Sequence, residues 1–61
     1  MAKKKYNEVQ RAWSVWYFKN GTRKLVDSCV YGYTIFQVID RAFTIYQDEY
    51  PNRAKYLAIP K

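Results

Sequence analysis

Sixty-one residues allow one small domain, near the lower limit for a chain that folds without disulfides or metal. A hydrophobic content of 49% and an aromatic content of 20% argue against disorder, because large aromatics bury area efficiently in a short chain. The net charge of +6, from 11 Lys and Arg against 5 Asp and Glu, directs attention to anionic partners; solubility alone is the plainer explanation.

Cys29 is the single cysteine, so no internal disulfide can form, and a reducing compartment, the cytoplasm, is expected. Histidine is absent, which removes the commonest general base and metal ligand. No apolar run approaches the roughly 18 residues that a membrane span needs. Met1-Ala2-Lys3-Lys4-Lys5 has no apolar segment after its charges, so a secretory signal is not expected.

Residues 1–7 read as a flexible basic arm in which Lys3, Lys4 and Lys5 add attraction to phosphate or simply solubility. Residues 8–61 form the expected single domain. Asn20-Gly21 is the strongest local signal in the chain, because a type I′ turn needs positive φ at both central residues. A strand from about Val9 to Phe18 and another from about Arg23 to Tyr31 make its arms, rich in Trp, Val, Tyr and Phe. A two-residue turn sets the register: Lys19 opposite Thr22, Tyr17 opposite Lys24, Val15 opposite Val26, Trp13 opposite Ser28 and Arg11 opposite Val30. The other face then pairs Phe18 with Arg23, Trp16 with Leu25, Ser14 with Asp27, Ala12 with Cys29 and Gln10 with Tyr31.

Asp27 in the middle of that second face would be costly to bury alone, which assigns the first face, with Val9, Trp13, Val15, Val26 and Val30, to the core. Trp16, Phe18, Leu25 and Tyr31 are then left on an open face. Both faces are apolar, and the opposite parity is the alternative. Tyr31-Gly32-Tyr33 connects to a helix from about Ile35 to Asp48. Thr34 and Gln37 match a capping box, and Ile35, Val38, Ile39, Ala42, Phe43, Ile45 and Tyr46 supply the apolar face. Pro51 ends that helix, and Arg53 or Lys55 can offset Asp48 and Glu49 at its unfavourable end. Arg53 to Ile59 reads as a third strand, with Leu57 and Ile59 toward the core. The expected fold class is α+β: a two-layer β-β-α-β domain, a three-stranded antiparallel sheet of order 3-1-2 with one helix on one face.

Trp13-Ser14-Val15 in an opening strand, Tyr31-x-x-Thr34 entering an apolar helix and a strand closing in Ile59-Pro60-Lys61 resemble the small bacteriophage inhibitors of host RNA polymerase. The resemblance is one of pattern and covers most of the chain after the basic arm. It implies a β-β-α-β protein of this size that binds a protein surface and has no catalytic activity. Those inhibitors rely on acidic surface, whereas this chain is basic. The resemblance therefore implies the general mode, a phage-type protein that disables or modulates a larger host enzyme, and not the same target. The hairpin from Trp13 to Lys24 also looks somewhat like the three-stranded DNA-binding arms of phage integrases, without the strand expected before the helix.

Catalysis is not expected. Cys29 lacks a histidine partner and reads as a small apolar filler, and no glycine-rich phosphate loop or metal-ligand spacing is present. No cofactor is expected. Binding is the remaining class. Trp16, Phe18, Leu25, Tyr31 and Tyr56, bordered by Arg23, Lys19 and Lys55, form a candidate partner site of the residue types enriched at hot spots. An acidic host protein surface is the leading partner, met by this face or by the edge of the second strand. Nucleic acid, stacked on the aromatics and held by the basic groups, is the alternative. A homodimer through the open face is the third possibility.

Overall fold

The structure, a computed structural model, describes residues 10–61. The expected arm with Lys3, Lys4 and Lys5, and the expected core residue Val9, lie outside those residues. The elements are β1 (Arg11–Lys19), β2 (Thr22–Gly32), α1 (Ile35–Tyr46), a single 3₁₀ turn (Arg53–Lys55) and β3 (Tyr56–Pro60). β1 is central and antiparallel to both neighbours, so the sheet runs β2-β1-β3, the expected order read from the other side.

Asn20 at φ 53° and Gly21 at φ 80° turn the chain in two residues, as a type I′ turn requires. Thr22 adds a hydroxyl bond of 3.1 Å to the carbonyl of Lys19. Near this turn the expected register holds, with Lys19 opposite Thr22, Phe18 opposite Arg23, Tyr17 opposite Lys24 and Trp16 opposite Leu25.

Beyond Trp16 the pairing departs from the simple register. Val15 lies opposite Asp27 and Trp13 opposite Val30, so β2 carries one extra residue at each of two irregularities. The expected pairs Val15–Val26, Trp13–Ser28 and Arg11–Val30 do not form, nor do Ser14–Asp27, Ala12–Cys29 and Gln10–Tyr31. One shift exchanges the faces of a strand, and a second restores them. Val30 is therefore still buried, opposite Trp13, and Tyr31 is still exposed, opposite Ala12. Only the residues between the shifts change sides. Asp27 turns to the helix layer, where its carboxylate accepts the Tyr46 hydroxyl at 2.5 Å and the Cys29 N–H at 3.0 Å. The reason for excluding Asp27 from that side, an unpartnered buried charge, is met by these two donors. Cys29 is exposed and is not a core filler.

The helix begins as a capped helix should. The Thr34 hydroxyl accepts the Gln37 N–H at 3.2 Å, and the Gln37 side-chain Oε1 accepts the Tyr33 N–H at 2.7 Å, one residue before the donor of a standard capping box. It ends at Tyr46, two residues short of expectation, because the chain turns there to bring Tyr50 into the core. Val38 and Ala42 face the sheet and are fully buried against the layer of Trp13, Val15, Tyr17 and Val30. Ile45, expected on this apolar face, lies outside it at 66% exposure.

At the end of the sheet nearer the hairpin the core is an aromatic cluster. Tyr17 lies 4.9 Å from Tyr50 and 5.2 Å from Tyr56, and Tyr56 lies 5.8 Å from Phe43, ring centre to ring centre. Two of the hydroxyls are bonded: that of Tyr56 donates to the Tyr50 carbonyl at 2.7 Å, and that of Tyr17 accepts the Asn52 N–H at 3.1 Å. This cluster corrects the third strand. Arg53–Lys55 is a 3₁₀ turn capped by Asn52, the strand proper starts at Tyr56, and Tyr56 and Ala58 are the buried residues. Leu57 and Ile59 lie on the opposite face, across from Trp16 and Ser14. Tyr56 wins the core because its ring packs edge-on against two others and its hydroxyl finds a buried acceptor.

Both sheet edges resist extension. β2 is interrupted by its two irregularities, and Arg41 donates to the Tyr31 carbonyl at 2.6 Å, occupying an edge acceptor. β3 is five residues long and ends in Pro60, which has no N–H.

Gly32 fixes the spacing between β2 and α1: a Cβ placed there would lie 2.6 Å from Cγ2 of the fully buried Val38. Gly32→Ala is expected to destabilise the domain by about 1–3 kcal/mol. In chemical denaturation, the Gly32→Ala, Val38→Ala double variant should lose less than the sum of the two single losses; strict additivity would refute the contact.

Candidate functional site

β1 presents Ser14, Trp16 and Phe18 on the side away from α1. Pairing places Arg23 beside Phe18, Leu25 and Leu57 on either side of Trp16, and Ile59 beside Ser14. No described element covers this face. Phe18 and Leu25 are 46% and 48% exposed, while Trp16 is half-buried among its neighbours. Its indole N–H donates to the Ser14 hydroxyl at 3.2 Å, that hydroxyl donates to the Ile59 carbonyl at 3.3 Å, and the Arg23 guanidinium sits 4.7 Å above the ring. Cation–π contact and hydrogen bonding thus hold the large central side chain in one pose before any partner arrives.

Of the expected partner residues, Trp16, Phe18, Arg23 and Leu25 come together. Tyr31 stands at the far end of β2, opposite Ala12. Tyr56 does not belong to the face: it is 6% exposed on the helix side, within the aromatic cluster. Leu57 and Ile59 take its place. The apolar signal for them was present, but their side depended on Tyr56 pairing with Tyr17. Lys19 lies at the hairpin tip, and Lys55 is exposed in the 3₁₀ turn.

The described carboxylates lie on the helix side, together with Arg11, Lys24, Arg41 and Arg53. Asp40, Asp48 and Glu49 belong to the helix and the turn after it, and Asp27 is bonded to the helix through Tyr46. Arg53 pairs with Asp40, leaving the expected offset of Asp48 and Glu49 unmade by that residue. The described residues put no side-chain carboxylate on the open face. Arg23, opposite Phe18, lies at its hairpin end, and Lys61, whose N–H donates to the Ala12 carbonyl at 3.0 Å, follows β3 at the other end, whereas Lys19 alternates to the side of Tyr17 and Lys24.

Apart from this face, an open groove of about 490 Å³ lies between α1 and the β2 edge, lined by Val30, Tyr31, Asp40, Arg41, Thr44 and Ile45. Its charged groups are already engaged, Asp40 with Arg53 and Arg41 with Gln10 and the Tyr31 carbonyl. Among the described residues no three His, Cys, Asp or Glu side chains are grouped as a metal would need. No helix among them is long and apolar enough to cross a membrane. The scan of protein-family models gave no match, and neither the curated proteins nor the solved structures contained a significant likeness.

Two hydroxyls are shifted. Tyr46 is raised above the ordinary tyrosine value of 10.0, first by its bond to the Asp27 carboxylate, then by desolvation and by repulsion from that charge. Tyr56 is raised chiefly by burial, with its neighbours Tyr17 and Tyr50 adding to it. A raised tyrosine pKa means that the folded state holds the proton more tightly. The stabilisation is therefore complete below pH 10 and is lost as pH climbs through the folded value. Tyr46→Phe is expected to cost on the order of 1 kcal/mol near neutrality and to remove part of the alkaline decline seen in the parent. Denaturation midpoints from pH 7 upward for the two proteins check this; parallel profiles would show that the Tyr46–Asp27 bond carries no such linkage.

Proposed function

We propose that this chain is a small basic, non-enzymatic binding protein of phage type that acts in a host cytoplasm, docking its open sheet face on an acidic surface of a larger host protein and inhibiting or modulating it. The observation that carries this reading is the uncovered apolar face, centred on a pre-positioned Trp16 under Arg23, with the described carboxylates on the other side. A Trp under an Arg in an apolar patch matches the anatomy of protein-binding hot spots. The composition of the face weighs against nucleic acid. Base stacking needs free aromatic surfaces, whereas Leu25, Leu57 and Ile59 are aliphatic, Arg23 roofs Trp16, and Tyr56 is buried. The blunted β2 edge likewise favours the face over strand addition as the mode of docking.

Tagged protein incubated with bacterial lysate, with and without nuclease, tests the reading. One protein retained in stoichiometric amount after nuclease is expected. Trp16→Ala should weaken its retention by at least about 2 kcal/mol, roughly 30-fold, as a hot-spot truncation does. Phe18→Glu, at a more exposed position, should do the same with unchanged circular dichroism. Capture that vanishes with nuclease and falls steeply with salt would transfer the function to nucleic acid.

A further inference from the structure

The dimensions and charge of the open face specify what covers it. Its apolar rows run from Ser14 to Phe18 along β1, about 13 Å at the usual rise per residue. Between the outer strands β2 and β3 the width is about 10 Å, the diameter of one helix with its side chains. On the opposite side of the same sheet a single helix, α1, covers the face. The open face therefore has the footprint of one helix, and a second sheet laid on it would hold no more than three strands.

Charge narrows the occupant further. Arg23, opposite Phe18, lies at the hairpin end of the face and Lys61 follows β3 at the other end, with no described side-chain carboxylate on the face. A second copy of this chain would bring the same cations against each other, so a homodimer through this face is opposed by its own electrostatics. A helix with a leucine-type apolar stripe and flanking carboxylates would bury Trp16, Leu25 and Leu57 and neutralise both ends. We infer that the partner docks through an acidic amphipathic helix of about nine to twelve residues, laid across Trp16 as α1 is laid across Val15 on the other side. This assignment rests on the docking reading above and names the element that docks.

The two indoles provide a reading of each face. Trp16 donates its N–H to Ser14 on the open side, and Trp13 donates to the Gly32 carbonyl at 3.2 Å in the core. The probe is a hydrocarbon-stapled peptide with leucines at i, i+3, i+4 and i+7 and glutamates elsewhere, titrated into ¹⁵N-labelled protein. The staple is needed because so short a helix is marginal in water. The expected result is a saturable shift of the Trp16 indole resonance with the Trp13 resonance unmoved. Binding should be at least about tenfold weaker for Arg23→Glu, compared at unchanged circular dichroism and with the Trp13 resonance in place, and for a peptide with lysine in place of glutamate. Absence of a Trp16 response to the acidic helix overturns the inference, as does an equal response to the lysine peptide. A response to a single-stranded oligodeoxynucleotide but not to the peptide overturns it in favour of nucleic acid. Nuclease-resistant capture lost in Trp16→Ala, combined with silence toward the acidic peptide, removes the helix assignment while leaving the docking reading standing.

Discussion

The structure depends on how β2 reconciles two demands made on it by the same neighbour. At the hairpin, Asn20-Gly21 dictates a strict two-residue register with β1. At the other end, Val30 must meet Trp13 and Gly32 must come close beneath Val38. No single register satisfies both. Two extra residues in β2, introduced one at a time, solve the conflict, because one-residue shifts taken in pairs leave side-chain parity unchanged. Asp27 sits between them, and its carboxylate ties the irregular stretch both to itself, through the Cys29 N–H, and to the helix, through Tyr46.

This arrangement also sets the electrostatics. A straight ladder would have put Asp27 next to Ser14, in the middle of the apolar face. The shift moves that carboxylate to the helix layer, where the protein's other described acidic groups lie. The open face is left apolar and cationic. A local irregularity in one strand therefore keeps the described carboxylates off the open face, while the helix side carries both signs, with Arg11, Lys24 and Arg41 beside Asp27 and Asp40.

Much of this was legible in the chain itself. The hairpin turn, the Thr34 cap, the element order and the assignment of Trp13, Val15 and Val30 to the core all follow from local chemistry that tertiary structure did not override. The face assignment survived an incorrect register because the two shifts cancel in parity. What the sequence could not convey was pairing at a distance. The side of Asp27 depended on a Tyr46 hydroxyl 19 residues away. The side of Tyr56 depended on the rings of Tyr17 and Phe43 and on the Tyr50 carbonyl. In a strand whose two faces are both apolar, alternation alone offers no preference, and the aromatic cluster decided between Tyr56 with Ala58 and Leu57 with Ile59.

A three-stranded sheet can grow in four directions: outward past either end strand, or upward from either surface. Here α1 occupies one surface, the kinked β2 with its Arg41-held carbonyl closes one flank, and the short, proline-ended β3 closes the other. A single direction of growth is left, and it is perpendicular to the hydrogen-bonding plane. Along that direction the sheet offers side chains and not backbone groups, so under the proposed docking reading recognition rests on shape and charge rather than on strand addition.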